Sequence, residues 1–177
     1  MTKRNVLITI QTQRQAIRPP SRGFVDDEYD EEDFPLEEPE PDPSSDGDDT
    51  SELLMEGRLV TTTHRVELVY QESELTGMEG STTAIGFDRA CPEVISMTRS
   101  GMVRTGMVFE AGKRHVCIYH TPFSDFEVCI RTFRVENRIL KEGKLYLDYL
   151  MEIHGTQTER CRMTVTLRND DSATMLS

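Results

Sequence analysis

Apolar and polar residues alternate along most of the chain, and this period of two constrains the fold more than any other feature. The clearest run contains Leu145, Leu147, Tyr149, Met151 and Ile153, which alternate with mostly polar positions. Successive side chains of a β-strand point to opposite faces of the sheet, so such a run has one dry face and one wet face. No segment shows a sustained helical stripe. The pattern therefore predicts an all-β protein with about 8–10 strands.

The connections between these runs are short and rich in turn-forming residues. Glycine, proline and aspartate recur between the predicted strands at spacings of about 10–14 residues, which is typical of an antiparallel meander. Strands with one dry face close into a barrel or pack as a sandwich. Closure removes the exposed sheet edges. We therefore predict an antiparallel up-and-down β-barrel that forms a single domain over residues 1–177.

An acidic, proline-rich segment interrupts the alternation between the first and second predicted strands. Residues 26–52 hold 15 of the 32 acidic residues and no Lys or Arg, so the rest of the chain carries 17 acidic against 20 basic residues. Such a segment repels itself and buries too little apolar surface to offset the entropy of ordering. We predict that residues 19–51 form a disordered insertion. It is a solvated tether, binds a basic protein partner, or folds back onto the barrel's own basic residues.

The same charge balance and the cysteine spacing bear on partners and compartment. The acidic segment competes with phosphate for basic residues, so no nucleic-acid partner is expected. No apolar run approaches the ~20 residues of a membrane helix, and no membrane partner is expected. The start of the chain has too few apolar residues for a secretory signal. The four cysteines are far apart and form no CxxC pair, which favours reduced thiols in a cytoplasmic compartment.

One hairpin can be given a register from the sequence. A turn centred near Phe123 would place Cys117 opposite Cys129, with Val116 and Ile118 facing the interior. Both cysteines would then lie on the outer face, where His115 could join them in a thiol or metal site. The alternative is a pair of inert thiols, because zinc ligands usually occur in pairs at short spacing. We predict no metal and no cofactor.

Three stretches resemble a known family. They are 75–83 (LTGMEGSTT), 99–112 (RSGMVRTGMVFEAG) and 119–123 (YHTPF), and the strand around Leu147-Asp148-Tyr149 agrees with them. Together they resemble the YwiB-like family of small, uncharacterised bacterial proteins, over about residues 5–17 and 52–168. The resemblance implies a calycin-type, lipocalin-like β-barrel. It implies no activity and no catalytic residues. The acidic insertion and the cysteines depart from the family pattern.

The predicted barrel interior is bulky. An eight-stranded barrel is just wide enough to be filled by side chains or to hold one small ligand, so the interior is either a packed core or a ligand cavity. The residues predicted to line it are Met55, Leu59, Leu68, Tyr70, Met107, Phe109, Ile118, Ile130, Tyr149, Met151 and Met163.

Arg99 is the most informative charged residue. A hairpin at Ser100-Gly101 would place Arg99 on the face shared by Met97 and Met107, where a charge needs a partner. Glu79 or an anionic ligand could supply that partner. We therefore predict a ligand-binding site near a barrel mouth, made of Arg99, Arg104, Glu79 and Tyr119. In the alternative register, shifted by one residue, Arg99 points to solvent.

No catalytic motif is present. The four histidines are scattered, and the sequence has no GxSxG, HExxH, Walker-type or dinucleotide-binding pattern. Glu79, on its glycine-bounded turn, is the most suggestive single acid, but a turn carboxylate that accepts backbone N–H groups is the favoured interpretation. We predict a non-catalytic module that binds a small molecule, with an anion as one candidate, in or at the mouth of the barrel, or that binds a protein. The alternative is an enzyme with a polar site at that mouth.

Overall fold

Ten antiparallel strands make up nearly all of the structure, a computed structural model that describes residues 1–17, 39–44, 47–153 and 157–170. The strands are β1 (Thr2–Ala16), β2 (Asp49–Thr61), β3 (Arg65–Gln71), β4 (Thr82–Asp88), β5 (Cys91–Ser100), β6 (Thr105–Phe109), β7 (Arg114–His120), β8 (Asp125–Arg138), β9 (Lys144–Ile153) and β10 (Gln157–Asn169). A short 3-10 helix, Glu74–Thr76, follows β3, and a one-turn helix α1, Ile139–Glu142, joins β8 to β9. Neither of these helices has the length and apolar character needed to cross a membrane.

The strands pair in chain order, which confirms the predicted up-and-down barrel. Each strand from β2 to β6 and from β8 to β10 pairs with the strand before it, and β1 also pairs with β10. The resulting sheet runs β6-β5-β4-β3-β2-β1-β10-β9-β8-β7. Its two ends, β6 and β7, come together at a single bridge between Arg104 and His120, so the barrel is nearly closed.

The inward faces of the strands form one hydrophobic core. Phe109 on β6 and Tyr149 on β9 come from strands that do not pair with each other, and their rings meet edge to face with centroids 4.8 Å apart. Side chains therefore fill the interior at this level. Ten of the eleven residues predicted to line the barrel are buried or pack against the core. The exception is Ile118, which is 41% exposed.

The predicted register of the β7–β8 hairpin is wrong by one residue. Cys117 lies opposite Val128, and Cys129 lies opposite Val116. Thr121 closes the turn, because its hydroxyl donates to the Ser124 carbonyl and accepts the Ser124 N–H. The loop therefore has four residues, 121–124, and its centre falls between two residues instead of on Phe123.

This shift exchanges the two faces of β7, since side chains alternate along a strand. Val116 and Ile118 point outward, 50% and 41% exposed. Cys117 points inward and packs against the core, whereas Cys129 is buried on the opposite, outer face. The two thiols thus lie on different faces of the sheet, so they do not form the shared outer-face cluster on which the alternative thiol or metal site depended.

Part of the predicted insertion can be described. Ile17, beyond the end of β1, pairs with Pro41, and the Asp42 N–H donates to the Ala16 carbonyl at 3.0 Å. Strand β2 begins at Asp49, so residues 49–51 belong to the barrel. Residues 19–38, 45 and 46 of the predicted insertion lie outside the described residues.

Candidate functional site

The barrel is open along one line, between β6 and β7. The turn after β6 holds the two strands together at one end, where the Lys113 N–H donates to the Glu110 carbonyl at 3.0 Å. At the other end, Arg104 and His120 exchange two backbone hydrogen bonds of 3.0 and 2.9 Å. Between these points β6 pairs only with β5, and β7 pairs only with β8. We call this opening the seam.

A groove of about 430 Å³ occupies the seam. Its floor is formed by three side chains that point into the barrel, Arg99, Thr105 and Cys117. Its outer rim is formed by Arg104, Gly106, Val116, Ile118 and His120. The groove therefore passes through the sheet, since residues from both faces line it. We call it the seam groove.

Arg99 reaches the groove from inside the barrel. Strand β5 alternates, with Ile95 and Met97 buried, and Arg99 is the next inward position. Its side chain is only 13% exposed. Of the two predicted registers, the structure therefore has the one in which Arg99 faces inward, and Arg99 pairs across the hairpin with Thr105.

The carboxylate that partners Arg99 is Glu72. Arg99 Nε lies 3.4 Å from Glu72 Oε1, and the Glu72 side chain is 2% exposed. Thr83 Oγ1 donates a 2.5 Å hydrogen bond to the same carboxylate oxygen. Glu79, the predicted partner, is exposed on the turn before β4 and does not line the groove.

The sequence contained a signal for Glu72 that the prediction missed. Leu68 and Tyr70 face inward on β3, and Glu72 is the next position at a spacing of two. A carboxylate that continues an apolar face is a candidate for a buried ion pair. The sequence does not give the path of the chain after β3, and this path places the Glu72 carboxylate next to the Arg99 guanidinium.

Tyr119 completes the contacts of the guanidinium. Arg99 Nη1 donates to the Tyr119 hydroxyl at 2.9 Å, and that hydroxyl donates toward Met107 Sδ at 3.5 Å. The Tyr119 ring stacks on Phe126 with centroids 5.4 Å apart. Burial raises the pKa of Tyr119, so the hydroxyl stays protonated at neutral pH. Burial also raises the pKa of the neighbouring Tyr70.

Arg99 remains a cation in this setting. Burial by itself lowers its pKa, but the oxygens of Tyr119 and Glu72 outweigh that effect, and the pKa of Arg99 is raised. Its third contact is weak, since Nη2 lies 3.7 Å from Met97 Sδ. The guanidinium has five N–H donors, and these three contacts leave at least two uncommitted.

Two polar residues at the floor and one histidine at the rim surround this cation. The Thr105 hydroxyl is buried, and the polar group that interacts with it among the described residues is the Cys117 thiol. Burial raises the pKa of the Cys117 thiol, and the nearby Thr105 hydroxyl offsets this only in part. His120 Nδ1 lies 2.9 Å from Asp125 Oδ2. Among the described residues, no group of three or more His, Cys, Asp or Glu side chains could hold a metal ion.

The structure thus brings together two of the four predicted site residues. Arg99 and Tyr119 are in direct contact inside the barrel. Arg104 stands at the rim with its side chain exposed, and no ion pair to it occurs among the residues described. Glu79 is not part of this group, and Glu72 occupies the role predicted for it.

Sequential antiparallel strands, a filled interior and a polar site beside one open seam define a calycin-like β-barrel protein. Residues 42–165 match the family described as a domain of unknown function, DUF1934, and the chain belongs to that family. The crystal structure of the ywiB protein from Bacillus subtilis is similar over 94% of this chain and 92% of that chain, with a TM-score of 0.64 and 15% identity. At that identity the likeness shows the fold. None of the curated proteins compared matches the chain.

Proposed function

We propose that this protein is a non-catalytic binding protein that takes a small anionic molecule in the seam groove, with Arg99 as the anchoring cation. The observation that carries the proposal is the state of the Arg99 guanidinium. It is largely buried, it lines an open groove, and its three protein contacts include one long contact to Glu72 and one to a thioether sulfur. An anion in the groove would satisfy the remaining N–H donors, because charge-assisted hydrogen bonds to guanidinium are strong.

Two groups near Arg99 also favour the binding of an anion in the seam groove. The Thr105 hydroxyl supplies a further donor at the floor, and Arg104 adds a second positive charge at the rim. Pockets that bind small molecules typically combine apolar walls with a few converging polar groups, and occupy about 300–1,000 Å³. The seam groove, at about 430 Å³, falls within that range.

The pKa shifts favour binding over the enzymatic alternative. General bases and nucleophiles need a pKa close to neutrality or an activated form. Here burial raises the pKa of Tyr119 and of Cys117, so both groups stay protonated and act as hydrogen-bond donors. The Glu72 carboxylate is engaged by Arg99 and Thr83. The converging groups therefore suit anion recognition better than proton or acyl transfer.

Two further expectations belong with this proposal. The four cysteines are free, which supports a reducing, cytoplasmic compartment. A basic protein that binds the acidic segment between β1 and β2 stays a prediction, because the central part of that segment lies outside the described residues.

The test is a comparison of charge-matched variants. Wild type, the double variant Arg99→Met/Glu72→Gln, and Arg58→Met are titrated with acetate, propionate, butyrate and inorganic phosphate by calorimetry and thermal unfolding. The double variant removes both charges together, since Arg99→Met alone would leave a buried carboxylate without its partner. Arg58 is an exposed arginine on β2 that does not line the groove, and it controls for loss of surface charge.

Wild type and Arg58→Met should be stabilised by at least one of these anions, and the double variant by none. A ligand at a hundred times its Kd adds about 2.7 kcal/mol to the free energy of unfolding. For a chain of this size that corresponds to roughly 5–10 °C in Tm. If wild type binds none of these anions, or if the double variant binds them equally well, the proposal is wrong.

A further inference from the structure

The rim of the seam groove is apolar on its β7 side. Val116 and Ile118 stand there, 50% and 41% exposed, next to a strand edge that lacks a partner. Large apolar side chains grouped beside a groove often mark a binding surface. Gly106 lies on the facing β6 rim, and an added Cβ there would meet no atom within 4 Å. The rim therefore offers an open apolar wall above a charged floor.

The charge around the groove is small and positive. Arg99 and Arg104 contribute two positive charges, and Glu72 contributes one negative charge. His120 is paired with Asp125, with Nδ1 2.9 Å from Oδ2. The sum for Arg99, Arg104 and Glu72 is +1. A singly charged anion matches this balance, whereas a doubly charged one would leave an excess negative charge next to the Glu72 carboxylate.

We propose that the ligand is an amphiphilic monoanion, namely a carboxylate with a short aliphatic or aromatic body. The carboxylate reaches Arg99 through the seam, and the apolar body lies against Val116 and Ile118. A carboxylate is planar and can accept two parallel N–H bonds from a guanidinium, and Arg99 keeps N–H donors beyond its contacts to Glu72, Tyr119 and Met97. This inference rests on the proposed anion-binding function and adds the class of molecule.

The arrangement differs from a cavity inside the barrel. The interior is filled at the level of Phe109 and Tyr149, so an apolar body has no room there. The groove passes from the floor to the rim, and the exposed apolar side chains lie at the rim. The ligand's charge is therefore the buried part, and its apolar body is the part near the surface.

The experiment is a calorimetric titration of wild type with three series. These are unbranched carboxylates from acetate to octanoate, the alcohols of the same chain lengths, and the alkyl phosphates of the same chain lengths at pH 8, where the phosphate is dianionic. The same titrations are made with Val116→Ser/Ile118→Ser, and with Leu75→Ser as the control. Leu75 is 85% exposed and does not line the groove.

For wild type and Leu75→Ser, we expect carboxylate affinity to rise about twofold to fourfold for each added methylene until the rim is covered. Val116→Ser/Ile118→Ser should show a flat dependence on chain length. The alcohols should bind at least tenfold more weakly than the carboxylates, and the alkyl phosphates should bind more weakly than the carboxylates of equal length.

The outcomes separate this inference from the proposed function. If short anions bind but affinity does not grow with chain length, the amphiphile inference fails and anion binding stands. Tighter binding of the alkyl phosphates would overturn the preference for a monoanion. An equal increase with chain length in the Val116→Ser/Ile118→Ser protein would place the apolar body elsewhere and overturn the inference. Absence of binding by every anion would overturn both.

Discussion

Arg99 and Glu72 form an ion pair inside the barrel, with Nε 3.4 Å from Oε1, although 27 residues separate them in the chain. They come from the ends of β5 and β3, and Thr83 on the strand between them donates a hydrogen bond to the carboxylate. The pair lies inside the barrel next to the seam groove, which Arg99 lines. Its position, buried and next to an open groove, makes it both a stability element and the core of the proposed binding site.

Substitution of one member of this pair should destabilise the fold strongly. Glu72→Gln removes the charge partner of a guanidinium that is 13% exposed, and we expect a loss of about 2–4 kcal/mol in the free energy of unfolding. Arg99→Met should cost a similar amount. The Glu72→Gln/Arg99→Met protein should lose at least about 1 kcal/mol less than the sum of the two single variants, because no buried charge is then left alone. Urea unfolding of the four proteins measures this coupling.

The same cycle at an exposed ion pair is the control. Arg138 and Glu142 are about half exposed and 3.3 Å apart, and their coupling should be within about 0.5 kcal/mol. Additive losses at Arg99 and Glu72 would contradict the buried ion pair.

Two glycines on separate strands of the sheet, Gly57 on β2 and Gly106 on β6, should respond differently to an added methyl group. A Cβ at Gly57 would overlap with Ile8 Cδ1 and lie 2.8 Å from the Val69 carbonyl oxygen. Gly57→Ala should therefore destabilise the protein by about 1–3 kcal/mol through overpacking. Gly106→Ala meets no atom within 4 Å and should be neutral or slightly stabilising. Chemical denaturation of both variants measures the difference, and equal losses would contradict the packing at Gly57.

Alkaline pH should destabilise the barrel in part through Cys161. Burial raises the pKa of Cys161 from 9.0 to about 11. Between these values the unfolded chain has lost the thiol proton and the folded chain has kept it, so the contribution is complete below pH 9 and is lost as pH rises toward 11. Two pKa units correspond to about 2–3 kcal/mol. The raised pKa of Tyr119 adds a further loss above pH 10.

The Cys161→Ala variant isolates the thiol contribution. The difference in unfolding free energy between pH 8 and pH 11, measured with urea under reducing conditions, should be smaller in Cys161→Ala than in wild type. Tyr119 is present in both proteins, whereas the contribution of Tyr149 also changes, because its side chain hydrogen-bonds the Cys161 thiol. Identical pH dependence in the two proteins would show that the Cys161 thiol is not protected by the fold.

Thiol labelling should follow burial and the observed register of β7. Cys91 is exposed and should react first with a disulfide reagent at neutral pH. Cys117, half-buried at the floor of the seam groove, should follow. Cys129 and Cys161 are 5% and 1% exposed and should react only as the barrel opens. Mass spectrometry of partly labelled protein gives the order, and labelling of Cys129 before Cys117 would contradict this placement.

Sequence reasoning predicted the barrel well because burial in a sheet has a strict period. The alternation of β9, from Leu145 to Ile153, and of β5, from Ile95 to Arg99, needed no knowledge of the partner strands. The β7–β8 hairpin failed because Val116, Cys117, Ile118 and Tyr119 are all apolar enough to face inward. There the register depended on one turn, in which Thr121 selects a four-residue loop.

The candidate site was predicted in part for the same reason. Arg99 was predicted because it continues the alternation of β5. Tyr119 was predicted as a site residue, and it lies in the stretch 119–123 that resembles the family. Glu72 was missed in favour of Glu79, since both are acidic residues near the same loop and only the three-dimensional path of that loop decides which one enters the barrel. The seam itself left no local signal, because it arises where two strand edges fail to pair.

The sequence by itself determined an antiparallel barrel whose strands each have one apolar, inward face. Alternation and short turns are local features, and they leave few other ways to bury the apolar residues. Only the tertiary structure decided where that barrel stays open, which acid neutralises Arg99, and which face of β7 meets solvent. These depend on contacts between residues far apart in the chain, and a shift of one residue in strand pairing reverses them without changing the alternation.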